Sequence, residues 1–290
     1  MRVLLALLLS LAAPAVAKPA EMMLPVAAAP GFTPRADRAY LLVRTLRGSP
    51  APTLMRIPDE AELAAHDAAR AAAFAKAEPE LTRRRDAVLA REQAARAAGK
   101  PFRENIPPLP SLENFSFVYE DIVNVANLPM GKPVEKSDTG ATHLVEVGPG
   151  DYVLYGVGFA KALHTCLCLG TIGFSAPAGQ VTDLGQVLIA QAWRPSDIPE
   201  LAGETNLGAS VNGHIALWAT AVRPASGQTL PAMLQGQAVR PADYRAVGKF
   251  VSPLAFNINR LAALPGVLGY RGGDVIDLRS GGVVPPNFQD

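Results

Sequence analysis

His143-Leu144-Val145-Glu146-Val147-Gly148-Pro149-Gly150-Asp151-Tyr152-Val153-Leu154-Tyr155 is the stretch that decides the fold class. Its flanks are rich in Val, Leu and Tyr, and its Gly-Pro-Gly centre breaks any helix, so it predicts strand, turn, strand. Outward from it the same pattern continues. Candidate strands cover residues 115–120, 143–147, 152–159, 163–174, 186–192, 214–222, 244–251, 267–271 and 275–278. The last two flank Gly272-Gly273, whose permissive φ angles suit a two-residue hairpin. Between residues 105 and 290 only 26 of 186 positions are charged, and Gly and Pro are frequent, which fits a sandwich or barrel. Runs such as Ile215-Ala216-Leu217-Trp218 are apolar on both faces and need cover from two sides, by a helical insertion or a second sheet.

Upstream, Tyr40-Leu41-Leu42-Val43 marks a first strand over residues 39–46, Arg47-Gly48-Ser49-Pro50 turns it, and residues 53–57 are expected to return as its hairpin partner. The character then changes. Residues 61–98 hold 16 alanines with interleaved Arg, Asp and Glu, a composition of high helix propensity. Pro58-Asp59-Glu60 places acidic residues at the start and Gly99 supplies a stop, while Pro79 is expected to divide or kink the helix. The apolar stripe is thin: Leu63, Phe74, Leu81, Val88 and Leu89. Arg83-Arg84-Arg85 is basic, but residues 59–104 carry nine acidic and nine basic side chains, so the cluster reads as part of a solvated face.

The whole chain has a formal net charge of +1. That balance gives no support to nucleic-acid binding. Two cysteines exclude a disulfide framework and any four-cysteine metal module. At the N-terminus Arg2 precedes an apolar run over residues 3–11, and Ala15-Val16-Ala17 is a small-x-small cleavage site. The run ends at Lys18 after roughly 15 apolar residues, short of the ~20 of a spanning helix. A signal peptide over residues 1–17, cleaved after Ala17, is expected, with a periplasmic or secreted product that has no transmembrane segment and equal numbers of acidic and basic residues. The organisation that follows is a flexible leader over 18–37, first strands over 38–57, a helical arm over 58–100, the main β domain over 101–279 and a tail over 280–290.

The strand-turn-strand of residues 143–155 resembles the "apolar strand, Pro-Gly-x-Tyr, apolar strand" signature of transthyretin-like and carboxypeptidase-regulatory-like β-sandwich domains. Phe174-Ser175-Ala176-Pro177-Ala178-Gly179-Gln180-Val181-Thr182-Asp183-Leu184-Gly185 is similar to a turn of exported bacterial β-sandwich proteins. The resemblance covers about residues 140–190. It implies a β-sandwich in the cell envelope and brings no catalytic residues with it. The chain departs from those proteins in having no lipidation cysteine at the end of the N-terminal apolar run and in carrying a long helical insertion.

One polar constellation has useful spacing: His164-Thr165-Cys166-Leu167-Cys168. On a strand, residues two apart share a face, so His164, Cys166 and Cys168 would present three ligands of the kind that bind Cu(I) or Zn(II). The same spacing is open to an inert buried pair, because cysteine packs as a small hydrophobe. It is also open to a disulfide between Cys166 and Cys168, strained because two extended residues span about 6.6 Å, and to an intermolecular disulfide or redox role. A fourth metal ligand is not identified, and His143 and His214 qualify only if folding brings them near.

Other motifs are degenerate. Gly208-Ala209-Ser210-Val211-Asn212-Gly213 lacks the Gly-x-Ser-x-Gly elbow, Gly156 and Gly158 lie inside a strand pattern, and Glu120-Asp121 and Asp274 with Asp277 read as solvated edges. Trp218 is expected in the core and Trp193 at a strand end. The expectation is a mainly β protein, a sandwich-like antiparallel domain with an inserted Ala-rich helical hairpin or bent helix. Its expected role is a non-catalytic cell-envelope binding or structural one, with an envelope protein or small ligand as partner. A metal-binding or thiol-redox role through His164, Cys166 and Cys168 is the alternative.

Overall fold

The Gly148–Pro149 break does not fold the chain back onto its own sheet. In the computed structural model, which describes residues 23–119, 124–158, 171–191, 194–202, 218–248 and 261–287, the strands on its two sides belong to different sheets. The strands before the insertion are β1 (Met23–Val26), β2 (Ala39–Leu46) and β3 (Ala51–Arg56), followed by the helix α1 (Glu60–Ala97). After it come β4 (Val125–Asn127), β5 (Glu135–Lys136), β6 (Gly140–Val147), β7 (Gly150–Gly158), β8 (Ile172–Ala176) and β9 (Val181–Gln191). The C-terminal strands are β10 (Trp218–Arg223), β11 (Val239–Pro241), β12 (Arg245–Ala246), β13 (Leu268–Arg271), β14 (Asp274–Asp277) and β15 (Val283–Val284).

The first sheet runs β1-β6-β2-β9-β10, with β5 beside β6 and β11 beside β9; the second runs β12-β8-β7-β3-β4; the third is β13-β14-β15. The connections β2 to β3, β6 to β7 and β8 to β9 each cross from one of the first two sheets to the other. Residues 53–57 are therefore not the hairpin partner of β2: β3 pairs with β4 and β7 instead. The first sheet is mixed rather than wholly antiparallel, because β9 runs parallel to both β2 and β11. Part of the expected leader is also structured. Met23–Val26 pairs with β6 from Val147 to Leu144, and Met23 reaches the core.

Strand periodicity explains the layering. On β2, Leu41 and Val43 face the central core with Val145 and Val147 of β6, Leu54 of β3, Tyr152 and Leu154 of β7 and Phe174 of β8. Tyr40 and Leu42, one residue out of phase, join Leu144, Val181 and Leu234 in a second cluster. That second cluster is covered by Phe32, Leu230, Met233 of a short 3-10 turn and Val239 of β11. Phe174 stacks on Tyr152 at 5.8 Å and meets Tyr244 edge-on at 5.9 Å. Gly185 interrupts β9 where its register to β2 shifts, with φ +72°. A Cβ there would lie 2.1 Å from the carbonyl oxygen of Arg223, so no other residue fits without moving the backbone. Gly272 and Gly273 form the expected hairpin turn, at φ +61° and +100°, between β13 and β14.

Residues 58–119 form a second compact unit. Asp59 caps α1 through a capping box with Glu62, and the helix continues through Pro79 as one 38-residue element, so the alternative of a helical hairpin is corrected. Only Val88 of this helix is fully buried. Residues 115–119, expected as a strand, form no sheet. They run as an extended strap whose Phe115, Phe117 and Tyr119 turn toward α1, with Phe74 packed on Phe115 and His66 between Phe117 and Tyr119. Arg70 donates to the carbonyls of Glu113 and Phe115 at 3.2 Å, and Arg91 to Glu104 at 2.6 Å. The alternation that suggests a strand is real, but its apolar face meets a helix.

Candidate functional site

A concavity lies over the outer face of the first sheet. Tyr40, on β2, anchors its wall: the hydroxyl donates to Glu146 at 2.8 Å and accepts from the backbone N–H of Arg35 at 3.2 Å. Arg38 completes the cluster with a 3.0 Å bond to the same carboxylate. Burial, followed by the anionic Glu146, raises the Tyr40 pKa above the ordinary phenol value, so the hydroxyl stays protonated as a donor. Phe32 packs edge-on against Tyr40 at 5.2 Å, and Gln237 donates from its amide nitrogen to the Phe32 carbonyl at 2.9 Å. Gln235 in the same way donates to the carbonyl of Leu230 at 2.9 Å.

These contacts hold apart residues 28–32 on one side and 232–237 on the other, and leave a groove of about 490 Å³ that also touches Val134. Its lining is Ala, Pro, Gly, Phe, Val and Met, with Gln235 and Gln237 as its only side-chain amides and no charged side chain. Each glutamine amide spends one N–H on the protein, which leaves a second N–H and the carbonyl oxygen of each able to hydrogen-bond. The arrangement suits an uncharged molecule with an apolar body and one or two hydrogen-bonding groups.

A smaller recess of about 170 Å³ borders Asp183. Asp183 is a buried carboxylate on β9, held by Arg44 of β2 at 2.6 Å and by the backbone N–H of Gly185 at 2.8 Å. Nearby Tyr244 donates to the carbonyl of Leu184 at 2.7 Å, and burial, then the charge of Asp183, drives its pKa far up. The pair joins parallel strands rather than marking a reactive centre.

The histidine and cysteine residues fare differently. His143 lies on β6 opposite Val43 and is buried. One ring nitrogen donates to the carbonyl of Gly131, and Nδ1 has no hydrogen-bond partner. Burial lowers its pKa below the ordinary value, with the Gly131 bond opposing, and among the described residues neither carboxylate nor hydroxyl is bonded to it. His164, Cys166, Cys168, His214, Trp193 and the segment 208–213 lie outside the described residues, as does the N-terminal segment 1–17. Gly156 and Gly158 lie in β7, and half-buried Trp218 packs on the main core. Asp277 organises its own turn by accepting from the Arg279 N–H and the Ser280 hydroxyl, bonds that lower its pKa. The groove has no local signature, since its two walls are about 200 residues apart in the chain. The Arg44 and Asp183 pair had one: each is a charged residue set in an apolar strand run.

No protein-family model matches the chain, and no curated protein or solved structure is significantly similar to it. The fold and its sites therefore rest on the chain's own chemistry.

Proposed function

We propose that this chain is exported to the bacterial cell envelope and acts there, without catalysis, as a binding protein for a small uncharged ligand held in the groove over the first sheet. The observation that carries the binding reading is the groove itself, largely apolar and without charge, with the amides of Gln235 and Gln237 as its polar side chains. Export is supported by Arg2, the apolar run over residues 3–11 and Ala15-Val16-Ala17. The resemblance of residues 143–155 and 174–185 to envelope β-sandwich domains agrees with that compartment.

Two measurements test the two halves. Expressed with its own N-terminus in a bacterial host, the chain is expected in the periplasmic fraction or the medium with Lys18 as its first residue; an intact N-terminus in the cytosol overturns export. For binding, the uncharged fluorophore N-phenyl-1-naphthylamine is expected to brighten on the wild-type chain and to lose most of that signal in Met233→Glu, which places a charge in the groove. Equal response of both proteins sinks the groove as the site, and a turnover abolished by one substitution sinks the non-catalytic reading.

The spacing of His164, Cys166 and Cys168 supports a second reading, a Cu or Zn site or a reactive thiol pair. Elemental analysis and thiol titration decide it: stoichiometric metal or a reactive pair favours this reading, and two inert thiols with no metal remove it.

A further inference from the structure

The chain that returns from the end of α1 is proline-rich: Ile106-Pro107-Pro108-Leu109-Pro110. The proline rings fix φ at three of the five positions, and each residue before a proline is kept out of the helical region. Both constraints select the polyproline II conformation, an extended helix with about three residues per turn and no internal hydrogen bonds. The segment belongs to no helix or sheet, and residues 103–109 are all exposed.

Two anchors hold it extended. Arg91 pairs with Glu104 at 2.6 Å ahead of it, and Arg70 donates to the carbonyl of Glu113 at 3.2 Å behind it. The two arginines are 21 residues apart on α1, close to six turns and about 31 Å, so they serve one side of the helix. The nine steps from Glu104 to Glu113, at about 3.1 Å each, cover about 28 Å, so the chain between the anchors runs near full extension. The Leu109 carbonyl accepts from the Asn114 side chain at 2.8 Å, whereas the carbonyls of Ile106, Pro107 and Pro108 accept no hydrogen bond among the described residues.

Ile106 and Leu109 stand one polyproline II turn apart and so share an edge of the segment. They are 41% and 65% exposed, and each is followed by a proline, so the edge repeats a pair of an apolar residue and a proline ring in water. A spacer between two anchors needs no such ridge. We propose that residues 106–110 are a docking site for a partner protein that reads polyproline II segments through a groove lined by aromatic side chains. Such a groove receives each apolar-proline pair between flat rings, and its tyrosine hydroxyls or indole N–H groups donate to the carbonyls left free along the segment. The two anchors fix the segment before binding, so little conformational entropy is lost on docking. No residue of the segment lines the groove over the first sheet.

The test is a photo-crosslinking residue, p-benzoyl-phenylalanine, placed at exposed Asn105 of the full-length chain in the organism that makes it. Irradiation is expected to give one dominant crosslinked protein, with the bond mapped by mass spectrometry to a surface carrying Tyr or Trp side chains. Pro107→Ala with Pro110→Ala frees the backbone and is expected to reduce that product at least about tenfold. Leu109→Asp keeps every proline and charges the apolar edge, with a loss of the same size expected. Absence of a product overturns the inference, and so does a bond on a surface without aromatic side chains. An undiminished product in either variant, with the wild-type circular dichroism spectrum retained, overturns it as well. If one variant loses that spectrum, the other decides.

Discussion

The sandwich and the helical arm solve the same problem with opposite materials. In the sandwich, β2 is buried on both faces: Leu41 and Val43 enter the central core, and Tyr40 and Leu42 lie beneath the loops that form the groove. In the arm, 38 helical residues bury one side chain completely, and the rest of the stabilisation comes from a capping box, alanine propensity, ion pairs and an aromatic strap. Stability resides where large side chains lose water, at about 25 cal/mol per Å² of apolar surface, and alanines have little surface to lose. The contrast teaches that the long helix is the weaker half of the molecule.

The sharpest way to break that comparison is to remove a large side chain from the sandwich. Phe174→Ala deletes a ring buried between Tyr152 and Tyr244 and is expected to cost about 3–5 kcal/mol, seen as a lower urea midpoint. Phe74→Ala in the arm removes a ring that is only half-buried, and is expected to increase proteolytic nicking of residues 101–119 with a much smaller change in that midpoint. Equal midpoint shifts in the two variants would erase the distinction.

A smaller effect probes the polar bond inside the sandwich. Asp183→Asn leaves the Arg44 guanidinium, itself 15% exposed, without its counter-charge, and is expected to cost about 2–4 kcal/mol. The double variant Arg44→Met with Asp183→Leu is expected to recover most of the loss, since a paired buried charge contributes little beyond what apolar packing would. If the double variant is as unstable as the single one, the pair contributes more than its own neutralisation.

How much of this was legible in the chain varies with the range of the interaction. The β class, the helix over Glu60–Ala97 and the Gly272-Gly273 hairpin are written in local periodicity, propensity and turn chemistry. Partner choice is not local. The Arg47-Gly48-Ser49-Pro50 turn is readable as a turn, but whether β3 returns to the same sheet depends on β7, about a hundred residues away. Strands of two or three residues, such as β5 and β12, are too short to show a period. Phe115, Phe117 and Tyr119 alternate as a strand does, and only the three-dimensional arrangement reveals that a helix faces them. The groove depends on a bond between Gln237 and Phe32, which no window of sequence contains.

Acid offers a milder test, again on the sandwich side. Burial holds the His143 pKa below its ordinary value, so the folded chain keeps the ring neutral while the unfolded chain takes up a proton as pH falls through about 6.5. The unfolded state then binds more protons, and stability falls with pH until the lowered folded-state pKa is reached, by at most about 1.4 kcal/mol per pH unit. His143→Leu is expected to flatten the urea midpoint between pH 7 and pH 5 relative to the wild type. Identical slopes would mean that the orphaned Nδ1 carries no cost.

The smallest expected effect is also the most direct test of the contrast, because it removes one region entirely. The ends of the insertion already meet: β3 and β4 are paired antiparallel, Met55 opposite Val125, and the Arg56 N–H donates to the Asn124 carbonyl at 2.7 Å. The whole unit is therefore an enlarged connection between two adjacent strands of the second sheet. Replacing residues 58–122 by a short Gly-Ser turn leaves that register intact. Connection length enters closure entropy only logarithmically, at about 0.6 kcal/mol per doubling, so shortening it cannot weaken the sandwich through chain entropy. The excised chain is expected to unfold cooperatively at a urea midpoint equal to or slightly above that of the parent, with the groove's fluorophore response retained. Loss of cooperative unfolding would show that the arm supplies part of the core, and the two regions would have to be counted as one.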